Sequence, residues 1–156
     1  MSEAEGESEL SKAQEVAHGA LRGAIAAMAM SGMRVLTVNL GVVEETPPRA
    51  IIRQRAKGLY RFVPRGKRRA FQELFHWSYG AGGGAAFGAL PASIRREPWA
   101  GPLYGLAVWL GFELCLAPAL GLSQSKEPRM VERVAFALDH LLYGFVLSEA
   151  RLPPQG

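Results

Sequence analysis

The sequence predicts an all-α fold, namely an integral membrane bundle of four transmembrane helices built as two repeated helical hairpins. Two observations support this prediction. Each of four apolar runs is long enough for a helix to cross a bilayer core of about 30 Å, and the runs span residues 19–43, 71–92, 99–122 and 131–150. The motif His-x-x-Tyr-Gly also occurs twice, at the start of the second run and within the fourth, each time after a segment that contains Pro-Arg. One hairpin of helices is therefore predicted to be duplicated.

Composition alone would also suit a modest globular domain, since the 156 residues are 49% hydrophobic. The distribution of the apolar residues in four runs favours a membrane domain over residues 18–150. Residues 1–17 are acidic and are predicted to form a flexible tail, and residues 151–156 a second, short tail. No basic segment followed by an apolar segment and a cleavage site opens the chain, so no cleaved signal peptide is predicted.

Small residues recur at every fourth position in the first two runs. Residues at this spacing share one face of a helix, and small ones allow two helix backbones to approach closely in a membrane. The first run carries this pattern at Gly19, Gly23, Ala27 and Ser31. In the second run and its repeat, the glycines predicted to pack helices are Gly80, Gly84, Gly88 and Gly144.

The loop over residues 44–70 is strongly basic and has an apolar side. We expect a short amphipathic helix on the membrane surface, with its cations over anionic lipid headgroups or against a partner's acidic surface. The cations assigned to this surface are Arg53, Lys57, Arg65, Lys67, Arg68 and Arg69. Nucleic acid is the rival interpretation, but the basic cluster adjoins two apolar runs and no recognition motif accompanies it. By the positive-inside rule this loop is cytoplasmic and both termini lie outside.

Two charged residues lie near the middle of the first and third apolar runs. When the repeats are aligned on Pro48-Arg49 and Pro128-Arg129, Arg34 falls within about one residue of Glu113. An unpaired charge at mid-bilayer costs about 3 kcal/mol or more, so the two are predicted to pair. The pair has two interpretations: an ion or proton pathway, or a clamp between helices that does no transport.

The repeated motif places ionisable and hydrogen-bonding side chains at similar depth on the second and fourth helices. These candidate residues are His76, Tyr79, Asp139, His140 and Tyr143. Histidine titrates near neutral pH, so the group suits proton sensing or relay. The two imidazoles could instead ligate a haem, or each histidine could simply hydrogen-bond to a neighbouring helix. No cluster at metal-ligand spacing is present, so no metal site is predicted.

No catalytic arrangement is visible, and the chain is predicted not to be an enzyme. The glycines of residues 80–84 are not followed by the Lys-Ser or Lys-Thr of a phosphate loop. Cys115 and the serines have no base placed near them by sequence.

The chain resembles the small YagU-like inner-membrane proteins of bacteria. The resemblance rests on Pro47-Pro48-Arg49 after the first run, on His76 and His140 with nearby aromatic residues, and on Trp99-x-Gly101. It covers residues 19–150. It implies a four-helix membrane protein of undefined biochemistry with a loose association with acid stress. The first loop here is shorter and far more basic than in that family, and the resemblance implies the reverse orientation to the positive-inside rule.

The sequence thus favours a structural or accessory component of the bacterial inner membrane, with lipids and either a membrane-protein partner or a second copy as its contacts. A small proton-responsive channel or transporter is the alternative, and a bis-histidine haem protein is a third hypothesis.

Overall fold

The computed structural model describes residues 3–41, 62–119 and 130–148, and within these ranges the chain is helical and contains no strand. The predicted all-α class is therefore confirmed for the described part of the chain. The described ranges contain four long helices: α1 (Glu3–Asn39), α2 (Arg68–Gly88), α3 (Ala100–Gly111) and α4 (Met130–Leu147).

The first helix is longer than the sequence predicted. α1 begins at Glu3, so the acidic segment expected to be a flexible tail is helical and continuous with the first apolar run. The helix ends at Asn39, and Gly41 adopts a left-handed conformation (φ 70°) while its N–H bonds to the Val38 carbonyl. Glycine takes this conformation without steric cost, which explains the termination. The predicted surface helix, including Arg53 and Lys57, falls mostly on residues 42–61, which lie outside the described residues.

Short helical segments connect the long helices. A 3₁₀ turn (Arg65–Lys67) leads into α2, and a four-residue helix (Ala92–Arg95) follows it after Pro91. The Arg95 side chain is 2% exposed. It donates to the Leu90 carbonyl at 2.9 Å and pairs with Glu15 at 2.8 Å, which ties α1 to this connection.

The third run is not one regular helix. α3 ends at Gly111 and is followed directly by a π-helical turn (Phe112–Leu116) and then by a short α-helical segment (Ala117–Ala119). Pro118 has no N–H to donate to the carbonyl four residues earlier, so the regular ladder cannot continue through this segment. A proline at this position predicts a bend in the helix, and here the irregularity takes the form of a π-helical turn.

Each hairpin is closed by close contact between backbones. In the first, a Cβ on Gly23 would collide with the Gly80 carbonyl oxygen, and a Cβ on Gly84 would collide with that of Gly19. Only glycine permits this separation of α1 and α2.

The second hairpin repeats the arrangement. A Cβ on Gly101 would collide with the Gly144 carbonyl oxygen, and one on Gly105 with the His140 carbonyl oxygen. Gly101 thus occupies the position in α3 that Gly23 occupies in α1. When the two repeats are aligned on Gly23 and Gly101, Arg34 corresponds to Phe112, which is one residue before Glu113.

Many large apolar side chains lie on the outer surface, and the interior combines small and large apolar residues, among them Phe87 and Leu147, with a few polar ones. Ala26, Ala27 and Ala100 are buried together with Asp139 and Tyr143. Large apolar side chains lie outside on all four long helices; examples are Leu21, Ile25, Leu36, Leu74, Leu103, Leu110, Val134, Leu138 and Phe145. In the described part of the chain, one helix, Ser11–Asn39, is long and apolar enough to cross a membrane, judged by length and composition.

Candidate functional site

The four long helices surround a cavity of about 560 Å³. It lies between residues 27–34 of α1, 75–83 of α2, 104–113 of α3 and the following turn, and 136–143 of α4. All the residues predicted as the intramembrane pair or as proton-sensing candidates line it: Arg34, His76, Tyr79, Glu113, Asp139, His140 and Tyr143. Its other lining residues include Met30, Phe75, Tyr104, Val108, Trp109, Phe112 and Phe136.

Arg34 is the only permanent cation among these lining residues, and its partner is not the predicted one. Its Nη2 lies 3.0 Å from His76 Nε2. Since a guanidinium only donates, this nitrogen of His76 accepts, and the ring is neutral with its proton on Nδ1. The carboxylates of Glu73 and Asp139 lie close enough to act electrostatically on Arg34. Glu113 shares the cavity with Arg34, but the hydrogen bond of the guanidinium goes to His76.

A second network supports this contact from one side. Ser31 Oγ lies 2.6 Å from Glu73 Oε2, and Trp77 Nε1 donates to the same hydroxyl at 3.1 Å. Ser31 precedes Arg34 by one helical turn, so the network fixes the faces of α1 and α2 that bring Arg34 and His76 together.

Glu113 lies at the start of the π-helical turn. A π turn inserts an extra residue into the helical repeat and so rotates the following side chains relative to a regular helix. Trp109 lies one turn earlier and lines the same cavity, and its Nε1 is buried without a hydrogen-bond partner among the described residues.

Asp139 and His140 bring adjacent polar groups from α4. Asp139 is 5% exposed, and its Oδ1 has no hydrogen-bond partner among the described residues. His140 Nδ1 donates to the Phe136 carbonyl at 2.7 Å, which leaves Nε2 as the second nitrogen of the ring. A buried carboxylate with an unpaired oxygen is costly unless a ligand, a proton or a cation compensates it.

Two tyrosines attach the second hairpin to α2. Tyr143 donates its hydroxyl to the Gly80 carbonyl at 2.7 Å, and Tyr104 donates to the Gly83 carbonyl at 2.7 Å. Tyr79 occupies in the first repeat the position that Tyr143 occupies in the second, but it is 48% exposed. The two repeats therefore share backbone geometry and differ in the roles of their side chains.

Gly80 lines the cavity, and the other glycines predicted to pack helices lie beyond it along the bundle. Gly80, Gly84, Gly88 and Gly144 are all buried, and each meets the backbone of the neighbouring helix. Of the predicted surface cations, Arg65, Lys67 and Arg69 are exposed at the start of α2, while Arg68 is half-buried and donates to the Val63 carbonyl.

Both histidines line the cavity, and one nitrogen of each ring is already engaged. His76 Nε2 accepts from Arg34, and His140 Nδ1 donates to backbone. Bis-histidine haem ligation stays a prediction, and it would require the Arg34 contact to open if Nε2 were the ligand. Among the described residues, no group of three His, Cys, Asp or Glu side chains is placed to hold a metal ion.

Several residues of the site were not predicted from sequence. These are Ser31, Glu73, Trp77, Tyr104 and Trp109. Helical spacing gave a signal for two of them, because Glu73 precedes His76 by three residues and Trp109 precedes Glu113 by four, which puts each on the face of a predicted site residue. For Tyr104 the signal was weaker, since an aromatic residue near a helix end is expected at a membrane interface without any contact.

Comparison with known proteins adds no assignment: no family model, no curated protein and no solved structure matches the chain.

Proposed function

We propose that this chain is a multi-pass bacterial inner-membrane protein whose four long helices all cross the bilayer as two repeated hairpins. The apolar outer surface supports this, since exposed apolar patches of such extent are unusual on soluble monomers. The burial of the ionisable residues Asp139 and Arg95 also suits a bilayer.

Ionisable groups in the middle of α2 and α4 lower the apolar content of these helices and line the cavity. They are His76, Asp139 and His140, while Leu74, Leu138 and Phe145 face outward. Intramembrane ionisable groups of this kind turn towards a bundle interior and mark solute or proton pathways.

We favour a small proton-responsive channel or transporter, with no bond-making chemistry, over a purely structural or accessory role. The observation that carries this choice is the convergence of ionisable residues from all four helices on one cavity of about 560 Å³. A clamp between helices needs direct contact of its charged groups. Here Arg34 and Glu113 both line an open volume, which suits passage of a proton or a solute.

The placement in the membrane completes the proposal. The exposed cations at the start of α2 lie at the end of the bundle nearer the cavity, and they would contact anionic headgroups on the cytoplasmic side by the positive-inside rule. The resemblance to YagU-like proteins implies the opposite orientation. Labelling of a unique cysteine at Lys67 from one side of intact cells distinguishes the two.

Reconstitution into vesicles with an internal pH-sensitive dye tests the transport function. After an imposed pH gradient, the wild type should dissipate it faster than empty vesicles, and Glu113→Gln should abolish the difference. Glu97→Gln is the matched control, because Glu97 is exposed in the connection before α3 and does not line the cavity. Equal flux through wild-type and Glu113→Gln vesicles, or no flux above empty vesicles, would reject the proposal.

A further inference from the structure

We infer that the cavity binds an organic ammonium ion whose body is aromatic or apolar. This inference rests on the proposed function, since it names the class of solute for the same cavity. Three independent features of the site support it: its charge balance, an unpartnered carboxylate oxygen, and its aromatic lining.

Carboxyl groups outnumber permanent cations at the site. Arg34 contributes one positive charge and donates to a neutral His76, while Glu113 and Asp139 line the cavity and Glu73 lies beside it. Because a buried carboxylate is stable only when its charge is compensated, a site of this composition favours a positively charged ligand over an anion.

Asp139 indicates where a positively charged head group would bind. The residue lines the cavity and is 95% buried, and its Oδ1 has no hydrogen-bond partner in the described part of the chain. An ammonium N–H supplies both a hydrogen bond and the opposite charge, and such charge-assisted bonds are roughly twice as strong as neutral ones. A metal ion would need several oxygen ligands together, which the described residues do not provide.

The aromatic lining accounts for the rest of the ligand. Phe75, Tyr79, Trp109, Phe112 and Phe136 all contribute to the wall, together with the two tyrosines that bond to α2. Aromatic faces attract organic cations and also bury an apolar body. A volume of about 560 Å³ lies within the range of pockets that hold drug-sized molecules. A bare proton or alkali-metal ion would not need this space.

Equilibrium binding to the purified protein in mild detergent tests the inference without relying on transport. The probes are 4-phenylbutylammonium, 4-phenylbutanol and 4-phenylbutanoate, which share one body and differ in the charge of the head group. Empty micelles correct for partitioning. The ammonium should bind at least about tenfold more tightly than the alcohol, and the carboxylate should bind most weakly. Equal binding of ammonium and alcohol, or tightest binding of the carboxylate, would overturn the inference.

Variants locate the binding. Asp139→Asn keeps the shape of the side chain and should weaken ammonium binding about tenfold while leaving alcohol binding unchanged. Glu113→Gln should also weaken ammonium binding. This variant serves as the test if Asp139→Asn does not fold. Glu97→Gln should bind as the wild type does. Ammonium affinity that is unchanged in both cavity variants would overturn the assignment to this site.

The outcome is separable from that of the flux experiment. Ammonium binding without dissipation of the pH gradient would support the ligand class and reject transport. Flux that depends on Glu113 without ammonium binding would retain the proposed function and reject an organic cation as the solute.

Discussion

The two ends of the bundle differ in what fills the space between the helices. At one end, glycines bring the backbones into contact, as at Gly19 with Gly84 and at Gly101 with Gly144. At the other end the helices separate around a cavity lined by Arg34, Glu113 and Asp139. We infer that the glycine end holds the hairpins together, which allows the other end to keep costly polar groups around an open volume.

The largest expected effect comes from substitution at the glycine end. Gly84→Ala would place a Cβ on the Gly19 carbonyl oxygen and against the Gly23 backbone, and no flexible side chain is there to move aside. Separation of α1 from α2 should lower the free energy of unfolding by about 3 kcal/mol. Denaturation in mixed micelles of SDS and a mild detergent measures it.

Gly82→Ala is the control on the same helix, because nothing lies within 4 Å of a Cβ at that position. It should be neutral or slightly stabilising, since alanine favours helix over glycine. Equal destabilisation by both substitutions would show that helix propensity, and not contact between the helices, determines the effect.

A smaller loss is expected at the cavity end when Arg34 is removed. Arg34→Met leaves His76 Nε2 without its donor and Glu73 and Asp139 without their cation. The free energy of unfolding should fall by about 2 kcal/mol in the same assay. Addition of Asp139→Asn should recover part of this loss, because it removes one uncompensated charge; strictly additive losses would contradict the electrostatic coupling.

The hydrogen bond from Tyr143 to α2, which joins the two hairpins, should contribute less to the free energy of unfolding than Arg34 does. Tyr143→Phe removes the hydrogen bond to the Gly80 carbonyl and should cost about 1 kcal/mol, since helix–helix hydrogen bonds in membranes are weak. Tyr79→Phe is the repeat-matched control and should change stability little, because that side chain is half exposed. A larger loss for Tyr79→Phe would contradict the different roles of the two repeats.

Glu113→Gln should have the smallest effect on stability and the clearest one on function. The substitution keeps the shape of the side chain and removes its charge from the wall of the cavity, so the free energy of unfolding should change by less than about 0.5 kcal/mol. Flux should nevertheless be lost. Parallel loss of stability and flux would instead indicate a structural clamp at this position.

Features that depend on spacing along a single helix could be predicted from the sequence. Contacts that depend on how one helix is rotated against another could not. The spacing of Gly80, Gly84 and Gly88 predicted a close helix contact, and the repeat predicted two histidines at similar depth. Spacing along one helix does not predict the partner of Arg34, because a four-helix bundle can place either His76 or Glu113 beside it. The glycine contacts determine which of them Arg34 meets, and those contacts depend on the whole bundle.

The π-helical turn illustrates a second limit. Pro118 indicates a bend in the third helix, but sequence does not specify whether a bend is taken up by a kink, a 3₁₀ turn or an inserted residue. Glu113 lies within this irregular turn and lines the cavity. Site residues that depend on such irregularities are therefore the least predictable from sequence spacing.

The claim on which all of this depends is that the apolar outer surface of the bundle contacts lipid. A nitroxide at Leu138, which is 58% exposed and adjacent to the buried Asp139, tests it most directly in reconstituted Cys115→Ser protein. Collisions with dissolved oxygen should dominate at this position, while a label at Lys67 should collide mainly with a water-soluble nickel chelate. Dominant nickel collisions at Leu138 would place that face in water and contradict the account.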